Sequence, residues 1–326
     1  MSRIVTVGAA QLGPIAKDES RKQVVERLLA HMHNAKAAGC DLVVFPELAL
    51  TTFFPRWFSK DQAWVDAWFE RQMPGPETQP LFDAAAKLQV GFALGYAELI
   101  VEEGRTRRFN TVILVDKGGR IAGKYRKIHL PGHAEDESWR PFQHLEKRYF
   151  EVGNLGFRVY DAFGGRIGML ICNDRRWPEA YRCLGLQGVE MVLIGYNTPV
   201  HHPPTPDHDR LGWFHNQLVM QAGAYQNATW VVGVAKTGAE EGVPMVGSSQ
   251  IIAPSGETVA MCRTEGDELA VARCDLDAGR TYKQSTFNFA VHRQPQAYTL
   301  VTATQGPVDT ATALRLEGRT VPDAAQ

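Results

Sequence analysis

The chain has 326 residues, 44% of them hydrophobic, with 35 lysines and arginines against 36 aspartates and glutamates and 5 cysteines. That apolar fraction supports a sizeable core and excludes wholesale disorder. A net charge of -1 offers no broad cationic field, so no nucleic-acid partner is expected.

The odd cysteine number, without a Cys-x-x-Cys among Cys40, Cys172, Cys183, Cys262 and Cys274, argues against a disulfide scaffold or zinc ribbon and fits a reducing compartment. The length allows two domains or one large layered one.

In chain order, residues 3–11 read as an apolar strand broken by Gly13-Pro14. This strand begins where a secretory leader would lie, and no run of about 18 apolar residues follows. A soluble, cytoplasmic protein without a membrane partner is therefore expected. Val24, Val25, Leu28, Leu29 and Met32 fall on one helix face after Ser20, and Gly39 is the expected stop. Asp41–Phe45 is a short buried strand cut by Pro46, which completes a βαβ-like unit.

The aromatic stretch 53–69 mixes loop and helix, and 79–88 is a helix. Strands are expected at 90–99, 109–116 and 120–126, the last two joined by a Lys117-Gly118-Gly119 turn. A polar loop covers 128–154. Strands return at 157–162 and 166–172, then a helix at 178–187 and a strand at 191–194. A Pro/His loop (197–207) leads to a helix over 208–227. Strands at 229–235, 246–253, 257–262 and 268–275 close the core. This alternation points to two similar halves, although no sequence repeat accompanies it. The segment after 303 is rich in Thr, Ala and Gly, and reads as a loose tail or an arm on a partner subunit.

Three strand ends carry chemistry. Ile167–Ile171 stops at Cys172 and turns polar through Asn173-Asp174-Arg175-Arg176, which places the sulfur at the carboxyl edge of a sheet, where ligands bind in open α/β folds. The arginines and the following helix start favour a thiolate, against the plainer reading of an inert core cysteine. Glu47 follows Val43–Pro46 at an equivalent address, as a general base or as a solvated loop acid. Lys127 ends the strand 120–126, and only one of Lys124, Arg126 and Lys127 is expected to turn inward.

Glu, Lys and Cys at three strand ends, in Phe45-Pro46-Glu47-Leu48, Tyr125-Arg126-Lys127-Ile128-His129-Leu130 and Ile171-Cys172-Asn173-Asp174, resemble the nitrilase superfamily of carbon–nitrogen hydrolases over most of residues 3 to 300. The resemblance implies a four-layer αββα sandwich and a Glu47-Lys127-Cys172 triad, with neither metal nor organic cofactor. It implies a domain over 1–303 and a tail or oligomerisation arm over 304–326, with assembly as a homodimer or homotetramer.

Leu50–Trp57, Pro141–Phe150, Cys172–Glu179, Gly195–Pro199, Phe287–Phe289 and His292–Gln296 are similar to the branch that hydrolyses N-carbamoyl-D-amino acids. Departures lie around 235–285 and past 303. The alternative is a β-ureidopropionase-like or other amidase of the superfamily. Glu146 matches the family's second acid, which orients Lys127 or the leaving nitrogen; alone, between a leucine and Lys147-Arg148, it reads as a solvated loop charge. His129 and His144 match its histidine network, both expected to hold loop hydrogen bonds rather than transfer protons, with His144 also near substrate.

Arg175 and Arg176, three and four residues past the nucleophile, suit a carboxylate-bearing ureido substrate, one binding while the other braces. Asn173 supplies a backbone donor to the oxyanion; Asn197 and Thr198 are expected beside the ureido group. A zinc hydrolase using His31, His33, His129, His133, His201, His202 or His208 is the rival chemistry, but His31 and His33 fall on different helix faces. A non-catalytic docking protein using the 53–69 aromatics is the other rival.

Overall fold

The computed structural model describes residues 2–319. In its first half β1 (Ile4–Gln11) leads through α1 (Arg21–Ala37) to β2 (Leu42–Val44). α2 (Gln62–Asp66) and α3 (Gln79–Leu88) precede a long hairpin, β3 (Gly91–Glu102) and β4 (Arg105–Val115), and β5 (Ile121–Arg126) follows. The second half begins after α4 (Glu146–Tyr149). It runs β6 (Val159–Ala162), β7 (Gly165–Ile171), α5 (Pro178–Leu186), β8 (Met191–Tyr196), α6 (Gly212–Asn227) and β9 (Trp230–Ala235). Short β10 (Ala239–Glu240) and β11 (Val243–Pro244) pair with each other, before β12 (Gln250–Ile252), β13 (Thr258–Met261) and β14 (Glu268–Asp275).

Two six-stranded sheets result, in the orders β14-β1-β2-β3-β4-β5 and β6-β7-β8-β9-β12-β13. Read in that order, each has the same sequence of pairings: antiparallel, parallel, parallel, antiparallel, antiparallel. The two expected halves are therefore repeated in topology.

The alternation of side chains across each strand builds the layers. Val5, Val7, Leu42, Val44, Ala93, Val112 and Leu114 face the second sheet in one core with Ile167, Met169, Met191 and Val232. Val43, Phe45, Phe92, Leu94, Ile113 and Val115 point the other way, onto Val24, Leu28, Met32, Leu81 and Phe82 of α1 and α3. Ala180, Tyr181 and Leu184 of α5 and Met220 and Ala224 of α6 cover the second sheet. The architecture is an αββα sandwich.

Local signals explain most boundaries. Ser20 caps α1 by accepting from Gln23 N, while Gln23 Oε1 accepts from Ser20 N at 2.9 Å. Gly39 just past α1 has φ +74°. The β3–β4 hairpin extends further than its apolar residues do. Its charged end stands in water with Arg107 paired to Glu102 and Glu151, so apolar periodicity does not mark it. The strand expected over 246–253 is only Gln250–Ile252, and the helix expected from 208 begins as a 3-10 turn over Pro206–Leu211.

Among the described residues, those up to Thr281 form one compact unit and those from Tyr282 onward a second. In the second, α7 (Arg280–Gln284, straddling the division), α8 (Phe289–His292), α9 (Thr299–Ala303) and α10 (Thr310–Leu316) are short helices. The boundary expected after residue 303 falls at the end of α9; residues 320–326 of the expected arm lie outside the described residues.

Candidate active site

β2, β5, β7, β8 and β9 all end at one edge of the sandwich, and the chain just past each end supplies a buried polar residue: Glu47, Lys127, Cys172, Asn197 and Lys236. Lys127 has no exposed surface. Its ammonium donates to Glu47 Oε1 at 2.7 Å and to Glu146 Oε2 at 2.6 Å, and both carboxylates are fully buried. Of the three basic residues at the end of β5, Lys124 and Arg126 pair with Glu98 instead. Glu146 reaches Lys127 because α4 is a single turn inserted in the expected loop. Glu146 points in while Lys147 faces solvent.

Asn110 of β4 holds both acids, donating Nδ2 to Glu47 Oε1 at 2.7 Å and to Glu146 Oε2 at 3.4 Å. The Glu47 Oε2 accepts from Asn197 N at 3.0 Å. His144 Nε2 lies 3.1 Å from the other Glu146 oxygen, with its ring edge-on to Phe53.

Cys172 is not the last strand residue but the first of a 3-10 turn, Cys172–Arg176, with φ +47°. A non-glycine residue in the left-handed region is strained and needs surroundings that enforce it. Asp174 does so. It accepts from Ile171 N at 3.0 Å, Tyr125 OH at 2.8 Å and His129 N at 3.0 Å, and its Oδ1 lies 2.8 Å from His129 Nδ1. His129 is itself stacked on Trp177 with ring centroids 5.1 Å apart. It braces the turn.

The adjacent arginines diverge. Arg175 is buried and spent on the protein: NH1 donates to Cys172 O at 2.7 Å, NH2 to Thr198 Oγ1 at 2.8 Å and to Asn216 Oδ1 at 2.8 Å. Its guanidinium also lies 3.7 Å from Cys172 Sγ and over the Tyr196 ring. Arg176 is exposed, donates only a long 3.4 Å bond to Asn173 Oδ1, and pairs with no carboxylate among the described residues. Although the side chain reaches solvent, the protein crowded around it, and then Arg175, push its pKa down to about 10. Asn173 also bonds His129 O at 3.2 Å. The side chain of Asn197, expected beside a substrate, is instead occupied: Nδ2 donates to Glu47 O at 2.7 Å and Oδ1 accepts from Lys236 N at 3.3 Å.

The electrostatics separate the two acids. Burial pushes Glu47 up, and Lys127 only partly opposes it, so its carboxyl sits above the usual range. Burial also pushes Glu146 up, but Lys127 and His144 reverse the shift, leaving it below that range. Burial alone disfavours the Lys127 ammonium; Cys172 when ionised, Glu146 and Glu47 outweigh it, and the group is held protonated. Burial and then Glu47 raise the Cys172 thiol, against Lys127 and Arg175. The resting sulfur is thus a thiol beside an acid poised to take a proton, with a second acid that keeps its charge.

Glycines set the Glu47 turn. A Cβ on Gly195 of β8 would lie 2.5 Å from Glu47 N, and one on Gly95 of β3 would lie 2.6 Å from Pro46 O. One glycine from each sheet lets the backbone at Glu47 pass between them, and backbone cannot swing aside as a flexible side chain can. Gly195→Ala is expected to displace Glu47, cutting turnover by about 100-fold, the usual effect of a misplaced catalytic group. The overpacking should cost about 1–3 kcal/mol of stability. Steady-state kinetics with thermal melting check both.

The carbon–nitrogen hydrolase family model matches residues 6–284, and the chain belongs to that family, within the nitrilase superfamily. It is 28% identical over 312 residues to N-carbamoylputrescine amidase of Arabidopsis thaliana, covering 93% of this chain and 97% of the relative. It is 29% identical over 286 residues to a nitrilase of Pyrococcus abyssi, covering 87% and 95%. A carbon–nitrogen hydrolase from Helicobacter pylori G27 has the same fold, with a TM-score of 0.78 at 22% identity over 93% of this chain and 99% of that one. The chain is a carbon–nitrogen hydrolase of the nitrilase type.

Proposed function

We propose that this carbon–nitrogen hydrolase acts on N-carbamoyl-D-amino acids, releasing the D-amino acid, ammonia and carbon dioxide. Cys172 attacks the ureido carbonyl as Glu47 takes the thiol proton. Lys127 and the Asn173 amide carry the developing oxyanion. The C–N bond to the terminal nitrogen breaks, and that nitrogen leaves as ammonia with the proton returned from Glu47. Water, activated by Glu47, then cleaves the thiocarbamate to carbamic acid, which loses carbon dioxide. Glu146, charged throughout, holds Lys127.

One observation carries the carboxylate part of this reading: Arg176, an exposed guanidinium without a counter-charge among the described residues, at the end of the turn that begins with Cys172. It suits a substrate carboxylate and disfavours a cationic end such as that of N-carbamoylputrescine. The D preference rests on the sequence likeness of the segments at 50–57, 141–150 and 172–179.

Ammonia release should be compared across D- and L-N-carbamoyl amino acids, N-carbamoyl-β-alanine, neutral amides and nitriles. Turnover confined to amides or nitriles would sink the proposal, and a preference for the β-amino acid would favour the β-ureidopropionase-like alternative. Arg176→Ala is expected to raise KM for carbamoyl acids by about 10- to 100-fold, the weight of a charged hydrogen bond, with little change in kcat. Arg175→Ala should lower kcat instead, because it unties the Cys172 turn.

A homodimer is the assembly we favour. α6 presents Phe214, Leu218 and Tyr225 in one exposed stripe, with Leu186 of α5 also exposed. Light scattering should give twice the chain mass or a multiple of it, and Leu218→Glu should lower it.

A further inference from the structure

A second buried ionic cluster lies next to Glu47, and the reaction above does not use it. Lys236, just past β9, and Glu240 of β10 have no exposed surface, and Arg56 is nearly as buried. Glu240 gathers three chain segments. It accepts from Ile15 N at 3.1 Å, Phe53 N at 2.8 Å and Lys236 Nζ at 2.9 Å, and pairs with Arg56 at 3.2 Å. Arg56 also donates to Glu240 O at 2.7 Å. Buried ion pairs seldom stabilise a fold better than apolar residues of the same volume would, so this cluster calls for a use beyond stability.

Its contacts supply one. Lys236 grips the Glu47 turn from both sides. The ammonium donates to Thr51 O at 2.7 Å, four residues past Glu47. The Lys236 backbone N–H donates to Asn197 Oδ1 at 3.3 Å, and Asn197 in turn donates to Glu47 O at 2.7 Å and Glu47 Oε2 at 3.0 Å. The turn between these anchors is tight, with Leu48 at φ +45°.

We propose that Lys236, anchored by Glu240, is a positioning residue for Glu47, fixing its turn and adding a buried positive charge to its surroundings. This rests on Glu47 acting as the base for Cys172. The charged and titratable groups around Glu47 are Lys127 from the end of β5, Glu146 from α4, Cys172 and Arg176 from the turn after β7, and Lys236 from the end of β9. With Lys236 gone, Glu240 still pairs with Arg56, so that pair is neutral and its positive surplus is lost.

The test follows Cys172 alkylation by iodoacetamide against pH, by peptide mass, in the wild type, Lys236→Met, Lys236→Gln and Glu47→Gln. Glu47→Gln should remove the acid limb of the wild-type profile, which assigns that limb to Glu47. Lys236→Met should move the limb up by about one pH unit, the low end of what an adjacent charge does, and slow alkylation about tenfold. Lys236→Gln, which keeps a donor for Thr51 O, should regain most of the rate with the limb still displaced, and it carries the test alone if the methionine variant does not fold.

A lowered melting temperature with rate and limb both unchanged would overturn the proposal. Turnover of carbamoyl acids is measured alongside. A wild type that hydrolyses none of them defeats the substrate reading and leaves the alkylation result standing; normal turnover with an unmoved limb defeats only the role of Lys236.

Discussion

Cys172→Ala is expected to lower ammonia release by about 10⁴-fold or more, the scale of losing a covalent nucleophile. Folding and ligand binding should survive. The thiol is almost fully buried, so its loss leaves a cavity of one sulfur atom, worth about 1 kcal/mol. Asp174 anchors the turn through Ile171 N, Tyr125 and His129, none of which touches the sulfur. Arg175 bonds the Cys172 carbonyl, which alanine retains. Glu47, Lys127 and Glu146 keep their mutual bonds, and the carboxylate contact proposed for Arg176 does not involve the sulfur. Isothermal titration with an N-carbamoyl amino acid should therefore give a near-normal Kd on a protein that does not turn it over. Retained turnover would exclude Cys172 as nucleophile.

Cys172 is legible because a short apolar run ends abruptly on it, and the same signal marks Glu47 and Lys127. Other parts of the site have no such signature. Asn110 sits inside β4 between Phe109 and Thr111, where nothing local tells that its amide faces two carboxylates. Glu146 reads as a surface charge beside Lys147 and Arg148, and only resemblance singles it out.

Two like-charged pairs show the limit most sharply. Arg175 is buried and Arg176 exposed; Glu240 is buried and Glu241 exposed. Arg175 and Arg176 lie in a 3-10 turn and β10 is only two residues long, so no helical or strand period runs far enough to be read, and orientation is decided by partners distant in sequence: Asn216 for Arg175, and Phe53 and Ile15 for Glu240. The repeated sheet topology is hidden for a related reason. Pairing order depends on backbone direction and register, which many unrelated apolar sequences satisfy equally well.

Lys127→Met is expected to do the most damage, because it strikes stability and chemistry together. The side chain is fully buried between two carboxylates, at 2.7 Å from Glu47 and 2.6 Å from Glu146. Removing the cation leaves both acids buried with Asn110 as their shared donor, a situation that typically costs about 3–5 kcal/mol. Both folded-state pKa values then rise, since two like charges cannot share such a site.

The sign follows from proton linkage. A carboxyl whose folded pKa exceeds its unfolded one binds its proton more tightly in the native state, so stability falls as pH rises through the window between the two values. The deficit of Lys127→Met should therefore be small near the ordinary glutamate pKa and largest above the raised values. Melting at pH 5 and pH 8 measures it. Turnover should fall by about 10³-fold or more, because the oxyanion loses a donor worth 10²–10³ and Glu47, now protonated more readily, no longer takes the thiol proton at neutral pH. Wild-type turnover in this variant would remove Lys127 from the reaction, and a melting deficit independent of pH would show that the two acids are not coupled through it.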